Sequence, residues 1–117
     1  MHAILRAFEN SRNGLAHALK TERAVRQEIA LLLVSVPAAF VLSSDTWHRA
    51  MLVGSILAII SIELLNTCVE KLCDHVTPAL HPEVKAVKDM GSAAVLFAFL
   101  AAGLFWLASL LARVGWL

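Results

Sequence analysis

Glu63, Asn66, Glu70 and Asp74 stand in the stretch Glu63-Leu-Leu-Asn66-Thr-Cys-Val-Glu70-Lys-Leu-Cys-Asp74. This continues an apolar run from Ala50 to Ile62 with no helix breaker between them. On a single helix the four positions i, i+3, i+7 and i+11 lie within about 80° of one another and form one polar stripe. The opposite face is Leu64, Leu65, Cys68, Val69 and Leu72. A carboxylate inside an apolar helix is costly to desolvate, so the stripe needs a metal, a proton or a partner to meet there. Hard cations such as Mg2+ take carboxylate oxygens, commonly one or two from protein and the rest from water and phosphate. A carboxylate set deeper, as Glu63 is, suits the work of a general base.

Other polar residues gather near the same end of the apolar segments. Glu22, Arg26, Gln27 and Glu28 precede the first of them, and Lys88-Asp89 open the third. Free backbone N–H groups at such a helix start favour an anion such as phosphate. His48, His75 and His81 are scattered and read as interfacial. The sequence has no GxxxxGK[ST] loop, no GxGxxG and no kinase HRD or DFG set; its five glycines are dispersed.

The elements that position these residues follow from composition. Of 117 residues, 59% are hydrophobic and 16% charged, and the mean hydropathy is +0.73. A chain this small cannot hide that excess in its own core, which makes lipid the expected solvent. The net charge of +1 points to no nucleic-acid partner. Cys68 and Cys73, five apart on one predicted helix, point about 140° away from each other, which excludes an intrahelical disulfide and suits a reducing compartment.

Along the chain, residues 1–28 read as an amphipathic surface helix, with Ile4, Leu5, Phe8, Leu15 and Leu19 on one face, broken or bent near Gly14. Ile29 to Ser44 is uncharged and long enough to span if Arg26 and Glu28 sit at the interface, with a kink at Pro37. Asp45 or Thr46 caps the next helix, and Trp47 and Arg49 are interfacial anchors. Pro78 and Pro82 break the chain before a third apolar segment, whose Gly91, Ser92, Ala93 and Ala94 permit close approach to a neighbour. The expected fold is all-α integral membrane: one domain over 1–117, with a surface helix at 1–28 and spans at 29–46, 47–75 and 84–113.

Basic residues concentrate in the N-terminal segment and at Lys71, Lys85 and Lys88. That predicts a cytoplasmic N-terminus, an external C-terminus and a cytoplasmic polar stripe. Three spans are too few to enclose a site, so self-association is expected, with sites at helix interfaces.

Three blocks carry a resemblance: Glu22-Arg-Ala-Val-Arg26-Gln27-Glu28, the Glu63–Asp74 stretch, and Ala86-Val-Lys88-Asp89-Met90-Gly91-Ser92-Ala93-Ala94-Val95. Their order and spacing resemble the motif blocks of the prokaryotic diacylglycerol kinase family, from about Ser11 to Trp106. The resemblance implies a homotrimeric bundle in the bacterial inner membrane that transfers the ATP γ-phosphoryl group, with Mg2+, to the primary hydroxyl of diacylglycerol. By the same resemblance Glu63 is the general base with Asn66 beside it, and Glu22 and Glu70 bind metal. Glu22, Glu70, His81, Lys88 and Asp89 serve the nucleotide; Arg26, Gln27, Arg49, Glu63, Ser92 and Trp106 serve the lipid. The chain departs from the family pattern at Ala3 and Asn10, where relatives often have a basic and an aromatic residue. The His81-Pro82 loop start is similar to that of the related undecaprenol kinases, whereas Met90-Gly91-Ser92-Ala93, beside the site, is similar to the diacylglycerol enzymes. From a different class, a small proton- or cation-coupled transporter also uses buried carboxylates, but leaves Lys88-Asp89 unexplained.

Overall fold

The computed structural model describes residues 1–77, 79 and 81–115. They form four helices: α1 (His2–Thr21), α2 (Arg23–Leu42), α3 (Thr46–Val76) and α4 (Pro82–Arg113). The last three are long and apolar enough to cross a membrane. At about 1.5 Å per residue α2 matches a hydrocarbon core of about 30 Å, while α3 and α4 overhang it.

The helix boundaries follow local chemistry. Asp45 caps α3, its carboxylate accepting from the His48 N–H at 2.9 Å, as the sequence predicts. Pro82 occupies the first turn of α4, where its missing N–H costs nothing. His81 caps that helix, its Nδ1 accepting from the Glu83 N–H at 3.1 Å. Of the expected break between α3 and α4, Pro78 lies outside the described residues. Pro37 has no N–H to give the Leu33 carbonyl, yet α2 runs through it to Leu42.

One boundary differs from expectation. α1 runs through Gly14 without interruption, and the chain breaks instead at Glu22, in extended conformation (φ −118°, ψ 113°). A single glycine costs a helix only about 1 kcal/mol, which its neighbours offset. The junction is held by Arg26, whose guanidinium donates to the Leu19 and Lys20 carbonyls at 3.0 and 3.3 Å. Those carbonyls end α1 and would otherwise lack partners.

α3 is the central helix, packed along α4 on one side and α2 on the other, while α2 and α4 barely touch. Ile56, Ile59, Ile60 and Ala102 are buried at the centre, with Ile29, Leu32, Leu64, Ala98 and Trp106 against them. Where lipid is the solvent, close packing and hydrogen bonds hold such helices together rather than apolar burial. Two polar clamps serve this. Trp106 donates its indole N–H to the Leu52 carbonyl and to Ser55 Oγ, both at 3.1 Å. His48 Nε2 pairs with the buried Ser109 Oγ at 2.7 Å.

Large apolar side chains cover the outside: Leu33, Val41, Phe97 and Leu104 are each at least about two-thirds exposed. On α1 only Ala18 is buried, and Ile4, Leu5 and Phe8 are uncovered by the rest of the chain.

Candidate functional site

The polar stripe is continuous on α3, and the structure arranges it in two layers. The deeper layer is a carboxyl pair. Glu63 is 9% exposed and Glu28, on α2, is 5% exposed, with the two side chains within hydrogen-bonding reach. The turn of α2 that carries Glu28 faces α3. The Glu28 Oε1 is wholly buried without a donor. Glu28→Ala is expected to lower the melting temperature, because Glu63 loses that contact beside a new cavity. Glu28→Gln keeps a neutral donor there and should melt near the parent, as circular dichroism in micelles can check; the difference corresponds to about 1–3 kcal/mol.

The second layer lies one to two turns further along α3. Asn66 donates from Nδ2 to Glu70 Oε1 at 3.1 Å, which orients that carboxylate. Asn66 Oδ1 is buried without a donor, pressed against the backbone of α4 at Gly91. A Cβ at position 91 would overlap that oxygen, so any larger residue there would have to displace the Asn66 amide. The Gly91 of the third block thus fixes the amide of the second.

Around this layer stand the ionic residues. Glu22, at the α1–α2 junction, pairs with Lys71 of α3 at 3.1 Å. Lys88 of α4 pairs with Asp74 at 2.5 Å, and Asp89 with Lys85 at 2.6 Å. Glu22, Glu70 and Lys88 therefore reach the same end of α3 from three different elements. Glu63 lies about 10 Å below Glu70 along the helix axis.

Not every residue assigned by resemblance arrives there. Arg49 sits in the first turns of α3, about 21 Å from Glu63; its Nε donates to the Ser43 carbonyl at 2.7 Å, and its guanidinium lies 4.1 Å over the Phe40 ring. Trp106 is bonded to Leu52, about 16 Å from Glu63. Arg26 is committed to the end of α1, and Gln27 and Ser92 are exposed on α2 and α4. His81 is engaged as a helix cap. Glu28 and Lys71 are residues to which sequence reasoning gave no place in the site. The available signals were a carboxylate immediately before an apolar run and a lysine immediately after a candidate ligand. Both thiols are free.

The fold and site define a small all-helical chain with three candidate membrane spans, carrying buried carboxyls below an ionic rim. The family model for prokaryotic diacylglycerol kinase matches residues 9–110, and the chain belongs to that family. It is 37% identical to the diacylglycerol kinase of Pseudomonas aeruginosa over 108 residues, covering 92% of this chain and 88% of the relative. It is 36% identical to that of Escherichia coli over 103 residues, covering 88% and 84%, and 33% identical to that of Helicobacter pylori over 103 residues, covering 88% and 80%.

Proposed function

We propose that this chain transfers the γ-phosphoryl group of ATP to the primary hydroxyl of diacylglycerol, giving phosphatidate at the cytoplasmic surface of a bacterial inner membrane. The observation that carries the reading is the two-layered site: a buried Glu63 beneath Glu22, Glu70 and Lys88, in a chain of this family. Phosphoryl transfer asks chiefly for positioning and charge neutralisation. A lipid hydroxyl reaches Glu63 from within the bilayer, and a soluble nucleotide reaches the ionic rim.

In this reading Glu63 accepts the proton of the attacking hydroxyl, and Asn66, beside it, orients Glu70. Lys88 and Asp89 meet the nucleotide, with His81 at the loop edge. Arg26, Gln27 and Ser92 border the lipid headgroup, while Arg49 and Trp106 lie toward the far end of its chains. Glu22 and Glu70 hold the divalent ion. The residues fit one: the Glu22 carboxylate already faces a cation, the Lys71 ammonium, and Glu70 presents an oriented oxygen. No group of three or more metal-binding side chains converges among the described residues, which suits Mg2+ entering with the nucleotide rather than a preformed cage. When bound, Mg2+ neutralises charge on the phosphates.

The assembly and orientation follow the same reasoning. The uncovered apolar face of α1 suits a helix lying in the headgroup region. The exposed faces of α2 and α4 suit both lipid and two further copies of the chain, in a homotrimer. The basic residues place the N-terminus in the cytoplasm and the C-terminus outside.

The test is a labelled-ATP assay of the purified chain in mixed micelles with diacylglycerol and with undecaprenol. Labelled phosphatidate is the expected product. Label confined to the polyprenol would overturn the lipid assignment, and ion flux in liposomes without nucleotide would place the chain in the transporter class.

A further inference from the structure

Two of the ionic groups that the proposed reading gives to the metal–nucleotide, Glu22 and Lys88, are already paired with residues of α3. Lys71 holds Glu22 at 3.1 Å and Asp74 holds Lys88 at 2.5 Å. Lys71 and Asp74 both follow Glu70 on one helix and stand three residues apart, a spacing that makes helix side chains neighbours. They carry opposite charges, yet in this structure each bonds to a different element rather than to the other.

We propose that Lys71 and Asp74 are the resting counter-ions of the nucleotide site. They surrender Glu22 and Lys88 to the divalent ion and the triphosphate, and then pair with each other. This rests on the reading of Glu22 as a metal ligand and Lys88 as a phosphate contact.

The physical case has three parts. First, the exchange is cheap. The four side chains are 28–64% exposed, and exposed ion pairs contribute little, so ligand charge can displace them. Second, the signs agree. A divalent cation at Glu22 repels the Lys71 ammonium, and a triphosphate at Lys88 repels the Asp74 carboxylate. The two displaced groups attract one another, so neither charge is left unpaired against the ligand. Third, Lys71 does more than meet Glu22. Its ammonium lies 3.3 Å from His17 Nε2 and 3.3 Å from Thr21 Oγ1, on the last turns of α1. α1 has little other contact with the bundle. Exchange of Lys71 therefore loosens the polar tie between α1 and α3 as ligand arrives.

A purely structural pair would alter stability when broken and leave binding constants alone. Displaceable counter-ions predict tighter binding when they are removed. The full chain in detergent micelles is titrated with Mn2+ alone, read by electron paramagnetic resonance, and then with a non-hydrolysable ATP analogue plus Mg2+. Lys71→Met should bind Mn2+ about two- to five-fold more tightly, and Asp74→Asn should bind the analogue more tightly by a similar factor. Glu83→Gln, an exposed carboxylate five residues before Lys88, should leave both constants unchanged. A double-mutant cycle on melting temperature reads the new pair: the Lys71→Met and Asp74→Asn effects add in the free protein and fail to add with the analogue bound. Unchanged or weakened binding in either single variant, or additivity in both states, overturns the proposal. Glu22→Gln separates it from the reading beneath. Loss of Mn2+ binding there upholds the metal role whatever Lys71 shows, and retention overturns that role directly.

Discussion

Glu63→Gln is expected to lower kcat for lipid phosphorylation by about 10²–10⁴-fold, the usual worth of a positioned general base. The KM for MgATP should change little, because the residues proposed to meet the nucleotide gather around Glu70, about 10 Å along α3 from position 63. The substitution is nearly isosteric, and its amide can still bond to the buried Glu28 carboxyl, so the helical circular dichroism and the elution volume should match the parent. Radiolabel transfer to diacylglycerol in mixed micelles measures the rate. Undiminished activity would remove Glu63 from the chemistry and leave the carboxyl pair with a packing role only.

Gly91→Ala is expected to cost about 10²-fold in activity with the chain still folded, since displacement of a positioning group by about 1 Å has that scale of effect. The added methyl overlaps Asn66 Oδ1, on a side chain that is short and already pressed against α4. Asn66 must rotate or α3 must move from α4, and either change removes the amide from Glu70 Oε1. Glu70 then loses its orientation, so the loss should appear largely in the Mg2+ dependence of the rate. Gly91→Ala with Asn66→Ala in the same chain relieves the overlap without restoring the amide. It should recover melting temperature and not activity. A rate for Gly91→Ala within two-fold of the parent would show that Asn66 does not position Glu70.

Much of this was legible in the sequence because it is periodic. The stripe of α3 follows from spacing alone, and three of the four helices follow from apolar length. The Asp45 cap follows from residue type. What periodicity cannot report is which turns of different helices meet. Glu28 has the sequence neighbours of a residue at a helix entrance, and only the packing of α2 on α3 turns it inward to Glu63. Gly91 reads as a small residue permitting contact, but its partner, one amide oxygen of Asn66, is set by the α3–α4 crossing. The continuity of α1 through Gly14 escapes the pattern for a related reason: the glycine's cost is modest and local, and neighbouring residues outweigh it. In sequence Lys71 reads as a topology marker and Asp74 as the end of the stripe, whereas their partners stand on other elements.

The continuity of α3 from Thr46 to Val76 has one more consequence. Glu63, Asn66, Glu70, Lys71 and Asp74 all stand on one rod, so their separations are fixed in multiples of its rise and its 100° step. Such a rod is a gauge between two phases. In the proposed reading it measures a constant depth from the nucleotide, which arrives in water, to the hydroxyl, which arrives in oil. Adding or deleting a single residue between Glu63 and Glu70 would swing every group on one side by a quarter turn or more and change the depth at once. The chain can vary its ends and its connections, but this interval has only one workable length.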